Sequence, residues 1–230
     1  VEEFLASDPD RTLGQLAANC SFAVLPNQRD AWLAQIGLLR SQLVGLGGTV
    51  YFEFNIPRMG RRADVILVAG PVVFVLEFKV GERKLQRADI EQVWDYALDL
   101  KNFHEASHGA WIAPVLVATE APEHGAGVQS VDDAEAAEPR AGAPALARGW
   151  VPDADRVFRP RAVNASGLRE AVDSGLRAAE GADVEAQTWA RAPYRPTPTI
   201  VEAARALYAQ HSVEAIARFD AGAQNLNVTS

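Results

Sequence analysis

The stretch PVVFVLEFKVGE, residues 71–82, narrows what this chain can fold into more than any other. Val72 to Leu76 is a run of β-branched, aromatic and aliphatic side chains, which reads as a buried strand. Glu77 and Lys79 follow at once, although a buried strand normally excludes charge. Side chains alternate between the faces of a strand, so these two share a face about 7 Å apart. Burying an unpaired carboxylate is costly, so Glu77 needs a positive partner, a bound metal ion or an exit to solvent. Each option requires a polar site at the end of the strand.

The surroundings of that strand show how such a site is built. Asn27 to Leu46 places Trp32, Ile36, Leu39 and Leu43 at helical spacings, with Gly47-Gly48 as the stop. Thr49 to Ile56 (TVYFEFNI) reads as a strand, residues 57–62 as a turn, and ADVILVA as a second strand. With VVFVLEFKV after Gly70-Pro71, the three strands form a meander. A second helix follows, with Ile90, Val93, Trp94, Ala97, Leu98 and Leu100 on one face, and then a short strand, APVLVATE (113–120). The order is helix, three strands, helix, strand, an α/β core. A short antiparallel turn brings the start of one strand beside the end of the next, so Asp64 can meet Glu77 in space. Two neighbouring carboxylates repel unless a cation lies between them, and Mg²⁺ takes carboxylate oxygens while keeping several waters. Lys79 then stands where it can hold a water. An isolated E-x-K also fits a simple ion pair capping a sheet edge, and that alternative stays open on the residues alone.

From Ala121 to about Arg161 the texture turns to Ala, Gly, Pro and acidic residues, expected to form a loop or linker with little to bury. A helix is expected from about Gly167 to Glu180, with Ser166 as its N-cap, and APYRPTPT (192–199) reads as an extended connector. Thr199 and Glu202 match a capping box opening a further helix. The single Cys20 of 230 residues excludes a disulfide framework, and no apolar run is long enough to span a membrane. The acidic N-terminus has no signal-peptide pattern, so a cytoplasmic setting is expected, as is a natural protein that extends beyond these residues.

A net charge of −8 argues against coating nucleic acid by bulk electrostatics. The distribution is uneven, however: residues 51–90 hold seven Lys or Arg against five Asp or Glu. Arg58, Arg61, Arg62, Arg83, Lys84 and Arg87 lie in the turns flanking the Asp64–Glu77 site. They read either as a phosphate-tracking rim or as solvated loops.

In the phrases RRADVIL and VVFVLEFKVG, within this element order, the chain resembles the PD-(D/E)XK nuclease superfamily over roughly residues 27–120. Ala63 stands where the signature has Pro. The resemblance implies a restriction-endonuclease-like core in which Asp64 and Glu77 ligate Mg²⁺ or Mn²⁺ and Lys79 is the catalytic lysine. QVWDY looks like the Q-x-x-x-Y element of RecB-like branches, which makes Gln92 and Tyr96 substrate-contacting residues. They sit at i and i+4 on one helical face, and the plainer reading is a Tyr at the helix–sheet interface with Gln92 exposed. Glu53 is either a further metal ligand, as extra acids are in that family, or an ion-pair partner of Arg61 or Arg62. His104 and His108 are four apart but lack a third ligand, so no zinc site is expected.

Over most of its length the chain is also similar to bacterial proteins in which such a domain precedes a P-loop ATPase, grouped with Schlafen-like helicases. FEFNIPRMGRRADVILV, QVWDYALDLKNFH and PTPTIVEAARALYAQHSVEAIA carry that likeness. No G-x-x-x-x-G-K-S/T motif occurs here. The expected organisation is a nuclease-like core over 1–120 with an N-terminal helical segment, a linker over 121–165, and a C-terminal helical extension over 166–230 leading toward an ATPase. The expected function is metal-dependent hydrolysis of nucleic acid, DNA in the first instance, in DNA processing or anti-phage defence. The alternative is a nuclease-like module that binds nucleic acid or a partner without cutting. Substrate-binding residues are expected to be Gln92, Tyr96, Arg62, Arg83 and Lys84, with no membrane partner and with a homo-oligomer compatible.

Overall fold

The computed structural model describes residues 1–20, 25–122 and 150–201, apart from the side chains of Arg58 and Ala154. The expected linker therefore falls largely outside the described residues, over 123–149, as do Glu202 and the helix that the capping box would open.

Five strands form one mixed sheet in the order β1 (Thr49–Ile56), β2 (Arg61–Ala69), β3 (Val72–Lys79), β4 (Trp111–Ala118), β5 (Arg161–Val163). β1, β2 and β3 pair antiparallel, as the meander predicts, whereas β4 lies parallel to β3 and β5 parallel to β4. The parallel step needs a crossover, which the helix at Arg87–Phe103 supplies. The sheet is therefore covered on both faces, and its central strands are apolar along their buried stretches, Val65 to Ala69 in β2 and Val72 to Leu76 in β3.

The helices, numbered in chain order, are α1 (Glu2–Ala6), α2 (Pro9–Asn19), α3 (Pro26–Gln42), α4 (Arg87–Phe103), α5 (Leu168–Ala178) and α6 (Ala186–Arg191). α3 buries Trp32, Ile36 and Leu39, with Leu43 just past its end, which is the stripe its spacing predicts. Leu39 and Leu43 join α5 in covering one face of the sheet, against Val65, Leu67, Phe74 and Leu76. α4 and Trp189 of α6 cover the other, against Ile66, Val68, Val73 and Val75. Two glycines permit close approaches. A Cβ on Gly48, where φ is +110°, would stand 2.3 Å from the Val68 carbonyl, and one on Gly175 would stand 2.7 Å from the Phe74 ring. The first fixes the entry into β1, and the second lets α5 lie directly on β3.

Two expectations change. Residues 150–163, read as the end of a linker, belong to the sheet layer: Trp150 and Phe158 are buried and β5 pairs with β4. Residues 166–191, read as an extension, cover both faces of the same core through α5 and α6. Ser166 is not the N-cap of α5. Gly167 holds that position, and Asn164 Oδ1 accepts its backbone N–H at 2.9 Å. The connector after α6 is extended as expected and pairs with the end of α4 through a Tyr194–His104 bridge and Thr197 N–H donating to the Asn102 carbonyl.

Candidate functional site

β3 carries two different sets of side chains. Val72, Phe74, Leu76 and Phe78 enter the core beneath α3 and α5. Val73 and Val75 face α4, and the alternation then puts Glu77 and Lys79 on that same side, at the strand's C-terminal end. Glu77 is 5% exposed.

The β2–β3 ladder runs from Ala69–Val72 to Val65–Leu76 and stops one step short of Asp64 and Glu77. Where the next rung would fall, the Phe78 N–H donates to Asp64 Oδ2 at 2.8 Å. Asp64 is thereby pinned beside the Glu77 backbone. The level of Asp64 is also where β1 and β2 break their alternation. Tyr51 and Phe54, three apart, pack on the α4 side, as do Ala63 and Ile66. The β1–β2 register skips Glu53 and Asp64, passing from Phe52–Val65 to Phe54–Ala63, and Glu53 in that gap has φ +51°, a conformation uncommon for a non-glycine residue. Strain of this kind clusters at functional sites.

Glu53 is fastened from two sides. Trp32 Nε1 donates to its Oε1 at 2.7 Å, and Arg62 Nε lies 3.4 Å from its Oε2. The ion-pair alternative raised for Glu53 is thus present, and its two oxygens are engaged by Trp32 and Arg62. Its charge still reaches Asp64, whose pKa it helps to raise.

Lys79 Nζ donates to Glu77 Oε1 at 3.2 Å and to Gln92 Oε1 at 3.3 Å, and forms an ion pair with Asp89 Oδ1 at 3.3 Å. Gln92 Nε2 donates to Glu77 Oε1 and to Tyr96 Oη, each at 2.8 Å. Gln92 therefore faces the site, and Tyr96, 2% exposed, fixes its amide from below. Tyr96 thus sits at the helix–sheet interface, as the plainer reading of QVWDY has it, and is too buried to touch a substrate, whereas Gln92 turns toward Glu77 and Lys79 and is not simply exposed.

The electrostatics follow from burial and crowding. Burial and then the Glu77 carboxylate push Asp64 up to about 7, against the opposing pull of the Phe78 N–H. Burial also raises Glu77, with Lys79 opposing. Burial alone would lower the Lys79 ammonium, but Glu77 and Asp89 outweigh it and leave the group above its ordinary value. Glu77 Oε2 is buried without a hydrogen-bond partner. Among the described residues Lys79 is the one cation against this buried carboxylate pair, and it reaches Glu77 through Oε1, leaving Oε2 without a donor.

Among the described residues no group of three or more His, Cys, Asp or Glu side chains is arranged to hold a metal ion. The donor set fits Mg²⁺ nonetheless, because that ion commonly takes one or two carboxylates and keeps waters for the rest. Asp64 and Glu77, with the orphaned Oε2, supply that many oxygen donors.

The rim is less concentrated. Arg62 is tied to Glu53, and Arg83 forms a long, exposed pair with Glu120 at 3.6 Å. Arg87 pairs with Glu91 one turn on, and Arg61 and Lys84 are exposed. Arg58 lies outside the described side chains. His104 is fully buried at the end of α4, its Nδ1 2.8 Å from Ser107 Oγ, and burial with His108 nearby holds its pKa down to about 4. It packs edge-on to Trp189 as a core residue.

Sequence reasoning missed Asp89 and Trp32. Asp89 sits three before Gln92 on the same helical face, a spacing that local pattern does carry. Trp32 reaches Glu53 across the tertiary fold, and no local pattern announces that contact.

Comparison with protein-family models, with curated proteins and with solved structures finds no match for this chain. No helix among the described residues is long and apolar enough to cross a membrane.

Proposed function

We propose that this chain is a Mg²⁺- or Mn²⁺-dependent nuclease domain with a PD-(D/E)XK-type core, acting on DNA as part of a larger helicase-linked protein in DNA processing or defence. One observation carries the reading: Asp64 and Glu77 converge at the end of β3, buried and mutually repelling, with Lys79 hydrogen-bonded to Glu77. A structural ion pair explains Lys79 with one carboxylate. It does not account for a second carboxylate, Asp64, buried close enough to Glu77 for each to feel the other, or for the positive φ of Glu53 at the same level of the sheet.

Asp64 and Glu77 would hold the cation, which when bound supplies charge neutralisation at the phosphate and acidifies a water. Lys79 is placed to orient that water or to stabilise negative charge developing on the phosphate oxygens. Gln92, fixed by Tyr96, positions both Lys79 and Glu77. Glu53, held by Trp32 and Arg62, acts through Asp64. Arg61, Arg83 and Lys84 are exposed cations able to meet the nucleic-acid backbone.

The test is cleavage of labelled linear and circular DNA, single- and double-stranded, in Mn²⁺ and in EDTA. Divalent-dependent cleavage is expected, falling by roughly 10³-fold in each of Asp64→Ala, Glu77→Ala and Lys79→Ala, with folding retained. Cleavage untouched by all three substitutions would refute the nuclease. A non-cleaving binding module is the second reading, favoured by the absence, among the described residues, of three or more His, Cys, Asp or Glu side chains grouped to hold a metal ion. DNA binding that persists without cleavage in any divalent ion would establish that alternative.

A further inference from the structure

Lys79 has three N–H donors and three side-chain oxygens within reach: it donates hydrogen bonds to Glu77 Oε1 at 3.2 Å and to Gln92 Oε1 at 3.3 Å, and it forms an ion pair with Asp89 Oδ1 at 3.3 Å. These oxygens crowd the ammonium. A phosphate oxygen that comes to Lys79 competes with one of the three.

They are not equally displaceable. Glu77 Oε1 also accepts from Gln92, and its side chain is 7% exposed. Gln92 is anchored at both ends of its amide, by Lys79 on one side and by Glu77 and Tyr96 on the other. The Asp89 side chain is 20% exposed, beside a Lys79 that is itself 23% exposed, so this contact lies on the solvent side of the cluster. An incoming phosphate oxygen also matches Asp89 in charge and in acceptor chemistry, and the two anions repel. The first turn of a helix favours an acid at Asp89 on dipole grounds alone. That preference does not account for its carboxylate reaching Lys79.

We infer that Asp89 occupies the place a substrate phosphate oxygen takes at Lys79, and that it sets the affinity of the site for phosphodiesters. The inference rests on the nuclease reading of the same site but is testable without catalysis. Asp89 is a resting-state stand-in that keeps the ammonium oriented and is given up when substrate arrives. Its neutralisation takes one negative charge from the phosphate's approach and leaves a weaker competitor at Lys79.

The experiment titrates inorganic phosphate, in metal-free buffer, into the wild-type chain and Asp89→Asn, following the amide resonances of Phe78 and Lys79. Asp89→Asn is expected to bind phosphate roughly tenfold more tightly, the size of one unscreened charge contact at partial exposure. The gain should vanish in Asp89→Asn/Lys79→Met. It should be absent in Glu91→Gln, which removes a charge from the exposed side of the same helix. Should Asp89→Asn fold poorly, Asp89→Ser gives the same reading with a first-turn hydroxyl in place. Equal phosphate affinity in wild type and the Asp89 variants, or a gain that survives loss of Lys79, overturns the inference. The nuclease reading fails separately: no DNA cleavage together with a Lys79-dependent phosphate gain removes the nuclease and leaves Asp89 its role, whereas cleavage without the gain does the reverse.

Discussion

The two faces of β3 share one backbone and one register, yet one is built wholly of packing and the other ends in chemistry. Beneath α3 and α5, Val72, Phe74, Leu76 and Phe78 are apolar to the last residue, and Gly175 lets α5 approach Phe74 closely. Beneath α4, Val73 and Val75 give way to Glu77 and Lys79, with Asp64 and Gln92 closing round them. The difference teaches where charge can enter a sheet core: at a strand end, where the ladder to β2 has run out and a helix brings polar partners. It also separates residues that hold the fold from residues held by it.

That separation can be broken experimentally. The largest effects should fall on opposite readouts. Glu77→Ala is expected to abolish activity, by roughly 10³-fold, while truncating a side chain at the strand end. Phe74→Ala, on the opposite face of the same strand, should cost about 3–5 kcal/mol in denaturant unfolding and leave the activity per folded molecule near that of wild type. If Glu77→Ala unfolds the chain as thoroughly as Phe74→Ala does, the two faces are not different in kind.

A smaller effect, of opposite sign, should come from Asp64→Asn. The native pair keeps a proton on Asp64 up to about pH 7, whereas the unfolded chain releases it near 4. Between those values the native state binds more protons, so stability falls as pH rises and the loss is complete above about 7. Replacing Asp64 with Asn removes the repelling charge, so the metal-free variant should be more stable than wild type at pH 8, by roughly 2 kcal/mol, and nearly equal to it at pH 4. Thermal unfolding at the two pH values measures this. A variant less stable than wild type at pH 8 would mean that the pair is not a site of stored repulsion. A change of comparable size, on the packing face, should come from Gly175→Ala, where the added Cβ meets the Phe74 ring and Trp150. Strain there should cost about 1–3 kcal/mol in the same unfolding experiment and leave the α4 face untouched.

Much of this division is legible in the amino-acid sequence. β3 announces itself because an apolar run ending in E-x-K needs a polar site at its end, and the stripes of α3 and α4 follow helical spacing that only a covering role explains. Asp64 is reachable because an antiparallel turn fixes which strand end meets which. β5 is not legible: three residues beginning with Arg161 carry no period, and Arg161 is buried through tertiary partners, over the Trp150 ring and hydrogen-bonded to Ser174. α6 is six residues long, and its reason for existing is Trp189, which fills the core beside Phe54 and His104. The positive φ of Glu53 leaves no trace in a sequence either, because no glycine marks it, and its hold on Trp32 crosses from helix to sheet.

The central claim is that Asp64 and Glu77 form a pocket for a divalent cation, and calorimetric titration of Mn²⁺ tests it most directly. The predicted result is saturable Mn²⁺ binding by the folded wild-type chain that is lost in both Asp64→Asn and Glu77→Gln. A folded wild type that takes up no Mn²⁺, or binding that neither substitution disturbs, would contradict it.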